Sequence, residues 1–333
     1  MKHKLRTGIF AAIGLFVLIL DTKTALLGAS RGLELCIRTV IPSLLPFFVL
    51  SMLLTSALMG ENIAVLKPLG RLCGVQNGTE SLLLVGMLGG YPTGAQCVTL
   101  AYRDGVIRRQ SAERMIAFCN LAGPSFLFGI VGAKFSNGYA PWALWGIHIV
   151  SAILVSTVLP GRSKGDAVLR PGKPLTLARS LQRSLRILGN ICGWIVLFRI
   201  VITFLDRWAL WLLPVHWQVA VTGLLELSNG CCDLHRIADE GLRFIIGAAI
   251  LSFGGLCVTM QTVSFTEGLS IKPYLIGKLL QALLSILLAA MLQASKIQFS
   301  AVFWISVPLL IAIIVKFLRK TQNRGSISRL VGV

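Results

Sequence analysis

At 333 residues, 55% of them hydrophobic and only 14% charged, the chain has the composition of a polytopic membrane protein and not of a soluble or disordered one. The net charge of +19 would suit nucleic acid, but the cations lie between apolar runs without interleaved aromatics. Positive-inside topology accounts for them, and no nucleic-acid partner is expected. The eight cysteines form no C-x-x-C pair and the four histidines show no metal spacing. No phosphate loop, H-E-x-x-H or dinucleotide fingerprint occurs, so neither a metal site nor an enzyme is expected.

In chain order, residues 1–38 form an anchor segment. Lys2, Lys4 and Arg6 precede an apolar run and predict an uncleaved signal-anchor helix over about 7–20. Residues 21–38 mix Leu26, Leu27, Leu33 and Leu35 with Arg31, Glu34 and Arg38, and predict an amphipathic helix lying in the interface. Gly28-Ala29-Ser30-Arg31-Gly32 spells a hydrolase nucleophile elbow, but no strand pattern precedes it. Further spans are predicted at 39–58, 115–133, 139–159, 187–205, 244–263, 273–293 and 299–317. A basic, proline-containing linker at 161–186 divides the chain, and a basic tail occupies 318–333.

Two apolar stretches, 81–101 and 214–233, are interrupted near their middles by Gly89-Gly90-Tyr91-Pro92 and by Leu225-Glu226-Leu227-Ser228-Asn229-Gly230. Each arm is too short to cross a hydrocarbon core that takes about 20 helical residues, so each stretch reads as a re-entrant hairpin. A span carrying polar and glycine residues at its centre follows each hairpin. Broken backbone at membrane depth is tolerated only inside protein or beside a watery cavity, and paired interruptions point to a transporter's binding site.

The predicted fold is therefore an all-α polytopic membrane protein of about eight transmembrane helices and two re-entrant hairpins. Placing the N-terminus inside puts 23 of the 32 Lys and Arg, Lys278 and Arg114 among them, on the cytoplasmic side and 8 outside, with Arg199 within a span. Both termini and the linker are then cytoplasmic in a multi-pass protein of the cell membrane. The halves 39–160 and 187–317 have the same element order in opposite orientations, an inverted repeat. The partners expected are the bilayer and a small solute, and association as a homo-oligomer is left open.

The candidate site follows from the interruptions. The first tip offers Gly90, Tyr91, Pro92, Thr93, Gly94 and Gln96, and the first broken span offers Asn120, Gly123, Pro124 and Ser125. The second turn offers Glu226, Ser228, Asn229 and Gly230, and the second broken span Ser252, Gly254, Gly255 and Gln261. Glycines let backbone approach a ligand, and a helix start at a tip presents N–H groups to it; the same glycines also permit tight helix packing. An intramembrane carboxylate costs about as much to insert as the roughly 2.5–3.5 kcal/mol given for Asp, so Glu226 is read either as a group for solute or coupling proton or as half of an ion pair with Arg199. It is expected to face one central cavity with Gly90, Gln96, Asn120 and Ser252.

Some of these residues also carry a resemblance. Leu88-Gly89-Gly90-Tyr91-Pro92-Thr93-Gly94-Ala95 is similar to the G-Y-P-x-G-A signature of the YlbJ-like sporulation integral membrane proteins, within the nucleoside-recognition or Gate-domain group. Ser111-Ala112-Glu113-Arg114 leading into Phe118-Cys119-Asn120-Leu121-Ala122-Gly123-Pro124 matches too, as does Ile41-Pro42-Ser43-Leu44-Leu45-Pro46. Leu225 to Gly230 and Ser252 to Gly255 resemble a second gate copy, so the likeness covers roughly residues 39–263.

More distantly, the arrangement looks like that of the concentrative nucleoside transporters, in which two tips and two broken helices enclose a nucleoside and a coupling Na⁺ or H⁺. The resemblance implies Gln96 and Glu226 as hairpin groups, Asn120 and Ser252 as broken-helix groups, and no cofactor beyond that ion. The transporters' Q-T-E tip is replaced here by Tyr91-Pro92-Thr93. It implies a permease for a small polar, nucleoside-like solute with a role in sporulation; the alternative is a non-transporting protein for assembly of the spore cortex or coat.

Overall fold

A computed structural model describes residues 2–58, 64–161 and 175–294. The expected span at 299–317, the tail at 318–333 and most of the linker lie outside these. Met1–Ala290 form one compact unit, and of the described residues only the last turn of α15 belongs to the second, Met291–Val333.

The elements in order are α1 (Lys2–Leu20), α2 (Thr22–Leu35), α3 (Ile41–Leu58), α4 (Lys67–Cys73), α5 (Glu80–Leu88), α6 (Thr93–Arg103), α7 (Arg109–Cys119), α8 (Pro124–Phe126) and α9 (Ala140–Val158). There follow α10 (Leu177–Trp208), α11 (Val215–Leu225), α12 (Leu227–Asp233), α13 (Glu240–Phe253), α14 (Gly255–Phe265) and α15 (Lys272–Ala294). Among the described residues, six helical stretches are long and apolar enough to cross a bilayer: Thr22–Leu58, Arg109–Lys134, Ala140–Val158, Leu177–Trp208, Glu240–Phe265 and Lys272–Ala294. The predicted first span is a shorter apolar helix.

The segment 21–38, expected as an interfacial helix, runs on into the next apolar helix. Asp21 caps α2 by accepting the Thr24 N–H at 3.2 Å, and a π turn at Cys36–Val40 carries α2 straight into α3. α2 packs along α10. A Cβ on Gly28 would lie 2.7 Å from the Ile200 Cα, and one on Gly32 would lie 2.9 Å from the Val196 Cα. The four-residue spacing that spelled a hydrolase elbow is thus a small-xxx-small contact that lets two helix backbones touch. α10 also begins well before the expected residue 187, so the end of the predicted linker is helix.

The stretches 81–101 and 214–233 form helix–turn–helix pairs, α5–α6 and α11–α12. Each packs beside a helix with an interruption. The first runs α7, an extended stretch at Asn120–Gly123, then α8 and a π turn at Leu127–Val131. The second runs α13, Gly254 and Gly255 at φ of 83° and 80°, then α14. Two successive left-handed residues interrupt the helix, and only glycine adopts that conformation without strain.

One cation counted as cytoplasmic is in fact structural. Arg114 on α7 is 4% exposed and donates to the carbonyls of Gly74 (3.0 Å), Leu159 (3.4 Å) and Ser156. These lie at the C-terminal ends of α4 and α9, where carbonyls have no helical partner. The guanidinium closes both ends from one side chain.

Candidate functional site

The four interruptions meet. The Gly90 and Gly123 backbones are in contact, with a Cβ on Gly90 falling 3.2 Å from the Gly123 nitrogen. A Cβ on Gly254 would lie 3.1 Å from the Tyr91 ring, and one on Gly255 would lie 3.2 Å from the Leu227 nitrogen. Between them is a cavity of about 40 Å³ lined by Gly90, Tyr91, Gly123, Ser125, Glu226, Ser228 and Gln261. Its apolar wall includes Leu44, Phe48, Phe126, Ile191, Ile195 and Val258. That space holds one or a few waters and no larger solute.

Glu226 sits in the turn between α11 and α12, 1% exposed. Its carboxylate accepts from the Ser228 N–H (3.0 Å), the Asn229 N–H (2.6 Å) and the Asn229 side-chain amide (2.7 Å). It is therefore the N-cap of α12, held by orphan donors and the positive end of that helix. Among the described residues no ion pair joins it to Arg199, so the expected cation across the cavity is replaced by local backbone. Glu226→Ala should leave two buried N–H groups without partners and lower stability by about 1–3 kcal/mol. Glu226→Gln keeps one acceptor oxygen and should fall between Ala and the parent. Thermal unfolding in detergent measures this, and an unchanged midpoint for Glu226→Ala would sink the cap assignment.

A second polar assembly lies beside the tips. The Lys278 ammonium, 1% exposed on α15, donates to the Tyr91 hydroxyl at 3.1 Å and to the Gln281 Oε1 at 2.8 Å. It lies 4.9 Å from the Tyr91 ring centroid and 5.9 Å from that of Tyr274. Tyr91 in turn donates to the Leu251 carbonyl at 3.2 Å, on the second broken helix. Gln281 donates to the His148 carbonyl at 3.1 Å. The His148 ring accepts the Ala122 N–H at 3.0 Å, within the first break, and its Nδ1 lies 3.1 Å from the Ser252 hydroxyl. Ser252, Ser285 and Ser151 continue the chain at 2.6 and 2.9 Å. One buried network thus links the first tip to both breaks. Lys278, His148, Gln281, Tyr274, Ser151 and Ser285 were not among the sequence candidates, and Lys278 was expected at the cytoplasmic surface.

The remaining candidates divide by role. Asn120 ties elements together, accepting the Ala95 N–H at 3.3 Å and donating to Thr262 Oγ1 at 3.0 Å. Gly94 and Gly230 are packing glycines: a Cβ on either would overlap backbone, the Cys119 carbonyl for Gly94 and the Gly223 Cα for Gly230. Pro92 and Pro124 start α6 and α8, the Tyr91–Pro92 bond being cis. The Thr93 hydroxyl is buried with no hydrogen-bond partner among the described residues. Contrary to expectation, Gln96, Asn120 and Ser252 do not line the cavity that holds Glu226.

Gln96 lines a larger cavity instead, a vestibule of about 700 Å³ between α3, α6, α10 and α14. Its wall contains Arg103, Arg183, Arg186 and Asn190. The two cavities follow one another along α10, Ile187 and Asn190 facing the vestibule and Ile191 and Ile195 the small cavity.

No family model and no solved structure matches the chain. Among curated proteins it is 27% identical over 332 residues to the sporulation integral membrane protein YlbJ of Bacillus subtilis (strain 168), the alignment covering 84% of this chain and 80% of that protein. The stretch with the G-Y-P-x-G-A signature forms the first tip of the crossing described above. Over most of both chains, then, the protein is similar to a YlbJ integral membrane protein.

Proposed function

We propose that this chain is a cell-membrane permease that moves a small polar, nucleoside-like solute past the crossing of its two tips and two breaks. The observation that carries the reading is that two hairpin turns and the breaks of two membrane-length helices converge on one buried polar network and one cavity. Around it we place eight spans in two oppositely oriented repeats, with the linker and both termini cytoplasmic and Na⁺ or H⁺ as the coupling ion. The charge asymmetry supports that orientation even without the buried Lys278 and Arg114. The vestibule then opens to the cytoplasm, and the closed side faces outward. A role in sporulation comes from the relative's name.

A second reading rests on the small cavity, whose walls of Leu44, Phe48, Phe126, Ile191 and Ile195 close the tips against any organic solute. It makes the chain a non-transporting protein of spore-envelope assembly that keeps the fold. Uptake by proteoliposomes, screened over nucleosides, amino acids and dipicolinate, separates the two. Accumulation above empty liposomes is expected; correctly inserted protein that moves none of them, yet restores spores in a deletion strain, would favour the second reading.

A further inference from the structure

The small cavity between the tips and the breaks is walled by oxygens from elements remote in sequence. Glu226 and Ser228 come from the second turn, Ser125 from α8 and Gln261 from α14. All four residues are more than nine-tenths buried. The Gln261 amide donates to the Cys257 Sγ at 3.3 Å, which commits its nitrogen. Its Oε1 has no hydrogen-bond partner among the described residues, and neither has the Ser125 hydroxyl. A carboxylate has about four acceptor sites, and the three donors on Glu226 leave one of them open. The wall thus offers one carboxylate, two hydroxyls and one amide oxygen, and it contains no basic side chain. Lys278 is not part of it and meets it only through the Tyr91 hydroxyl.

Hard cations take oxygen ligands of these kinds. A monovalent ion balances the single carboxylate, whereas a divalent one would leave a buried charge uncompensated. The volume of about 40 Å³ is close to that of one water, whose share of the liquid is about 30 Å³. A dehydrated Na⁺ fits such a space, and the larger K⁺ crowds it. We propose that the small cavity binds one dehydrated Na⁺ on Glu226, Ser228, Ser125 and Gln261. The ion neutralises a charge that the α12 N–H groups only solvate. It also ties the second turn to both broken helices. As the coupling ion of transport it rests on the permease reading; the binding itself does not.

The test is thermal unfolding of the full chain in a neutral detergent, with NaCl exchanged for KCl or choline chloride at constant ionic strength. Na⁺ at about ten times its dissociation constant should raise the midpoint by about 3 °C over choline, and K⁺ should not. Ser125→Ala and Gln261→Leu leave the cap formed by Glu226 untouched. Each should raise the Na⁺ concentration needed for half the shift by about tenfold. Glu226→Gln should abolish the response, whatever its own starting midpoint. Equal shifts in all three salts, or no shift in any, overturn the proposal and make this a water cavity. So does a Na⁺ response that Ser125→Ala and Gln261→Leu leave intact, which puts the ion elsewhere. A Na⁺ response in protein that moves no solute upholds the site and strikes the permease reading alone. Uptake equal in Na⁺ and in choline, with no shift of the midpoint, strikes this proposal alone.

Discussion

A valine at position 94 is expected to remove most correctly folded protein from the membrane. Gly94 on α6 and Gly86 on α5 close on the same carbonyl from the two arms of the first hairpin. A Cβ on either would overlap the Cys119 oxygen, and one on Gly94 would also stand 3.1 Å from the Asn120 Cα. Every neighbour that must give to a Cβ on Gly94 is backbone. The cost should therefore exceed the roughly 1–3 kcal/mol of an overpacked side-chain core. Relief requires the hairpin to part from the end of α7, which also breaks the bonds of Asn120 to Ala95 and Thr262. Size-exclusion profiles of detergent-extracted Gly94→Val should show aggregate or no peak. Gly146→Ala, with nothing within 4 Å of the added carbon, is the control and should match the parent. A normal profile for Gly94→Val would mean that the hairpin is not pinned at this point.

Lys278→Met should do the opposite, sparing the fold and abolishing transport. A lysine buried at membrane depth is costly, and its contacts here are the neutral oxygens of Tyr91 and Gln281. Methionine keeps much of the apolar stem and removes the charge. Replacing a buried charge by an apolar side chain of similar shape is often neutral or stabilising. The melting temperature in detergent should therefore hold or rise. Uptake should fall by at least tenfold, because the ammonium is what connects the first tip, through Tyr91, to Gln281 and so to His148, which touches both breaks. A matched fall in stability and uptake would make Lys278 a structural group, and unchanged uptake would remove it from the mechanism.

The interruptions were legible because glycine, proline and polar residues inside apolar runs state in the letters where a helix must stop. The packing was less so. The amphipathicity of residues 21–38 was read with its apolar face towards the headgroups. In the folded chain Leu26, Leu27 and Leu33 are exposed while Thr24, Gly28 and Gly32 are buried against α10. Small residues that lower a segment's hydrophobicity are the ones that let helices touch. The stabiliser of Glu226 lay two and three residues away, but a helix start is easy to miss inside an apolar run. Lys278 did have a signal. Tyr274, Lys278, Gln281 and Ser285 recur at helical spacing on one face of α15, whose opposite face is Leu275, Leu279, Leu283 and Leu287. Counting the lysine as an end-of-helix cation hid that stripe.

The length of α10 gives the two cavities unequal freedom. Its 32 residues reach about 48 Å, well beyond a hydrocarbon core of about 30 Å. α2 grips it at Val196 and Ile200, where backbones touch and sliding is blocked. Those contacts act as a fulcrum. From there the lever arm to Ile191 is about 7 Å and to Arg183 about 20 Å. Any rocking of the rod therefore displaces the arginine rim more than twice as far as the wall of the small cavity. The outer chamber can gape and narrow while the inner one, clamped beside the fulcrum, keeps its dimensions.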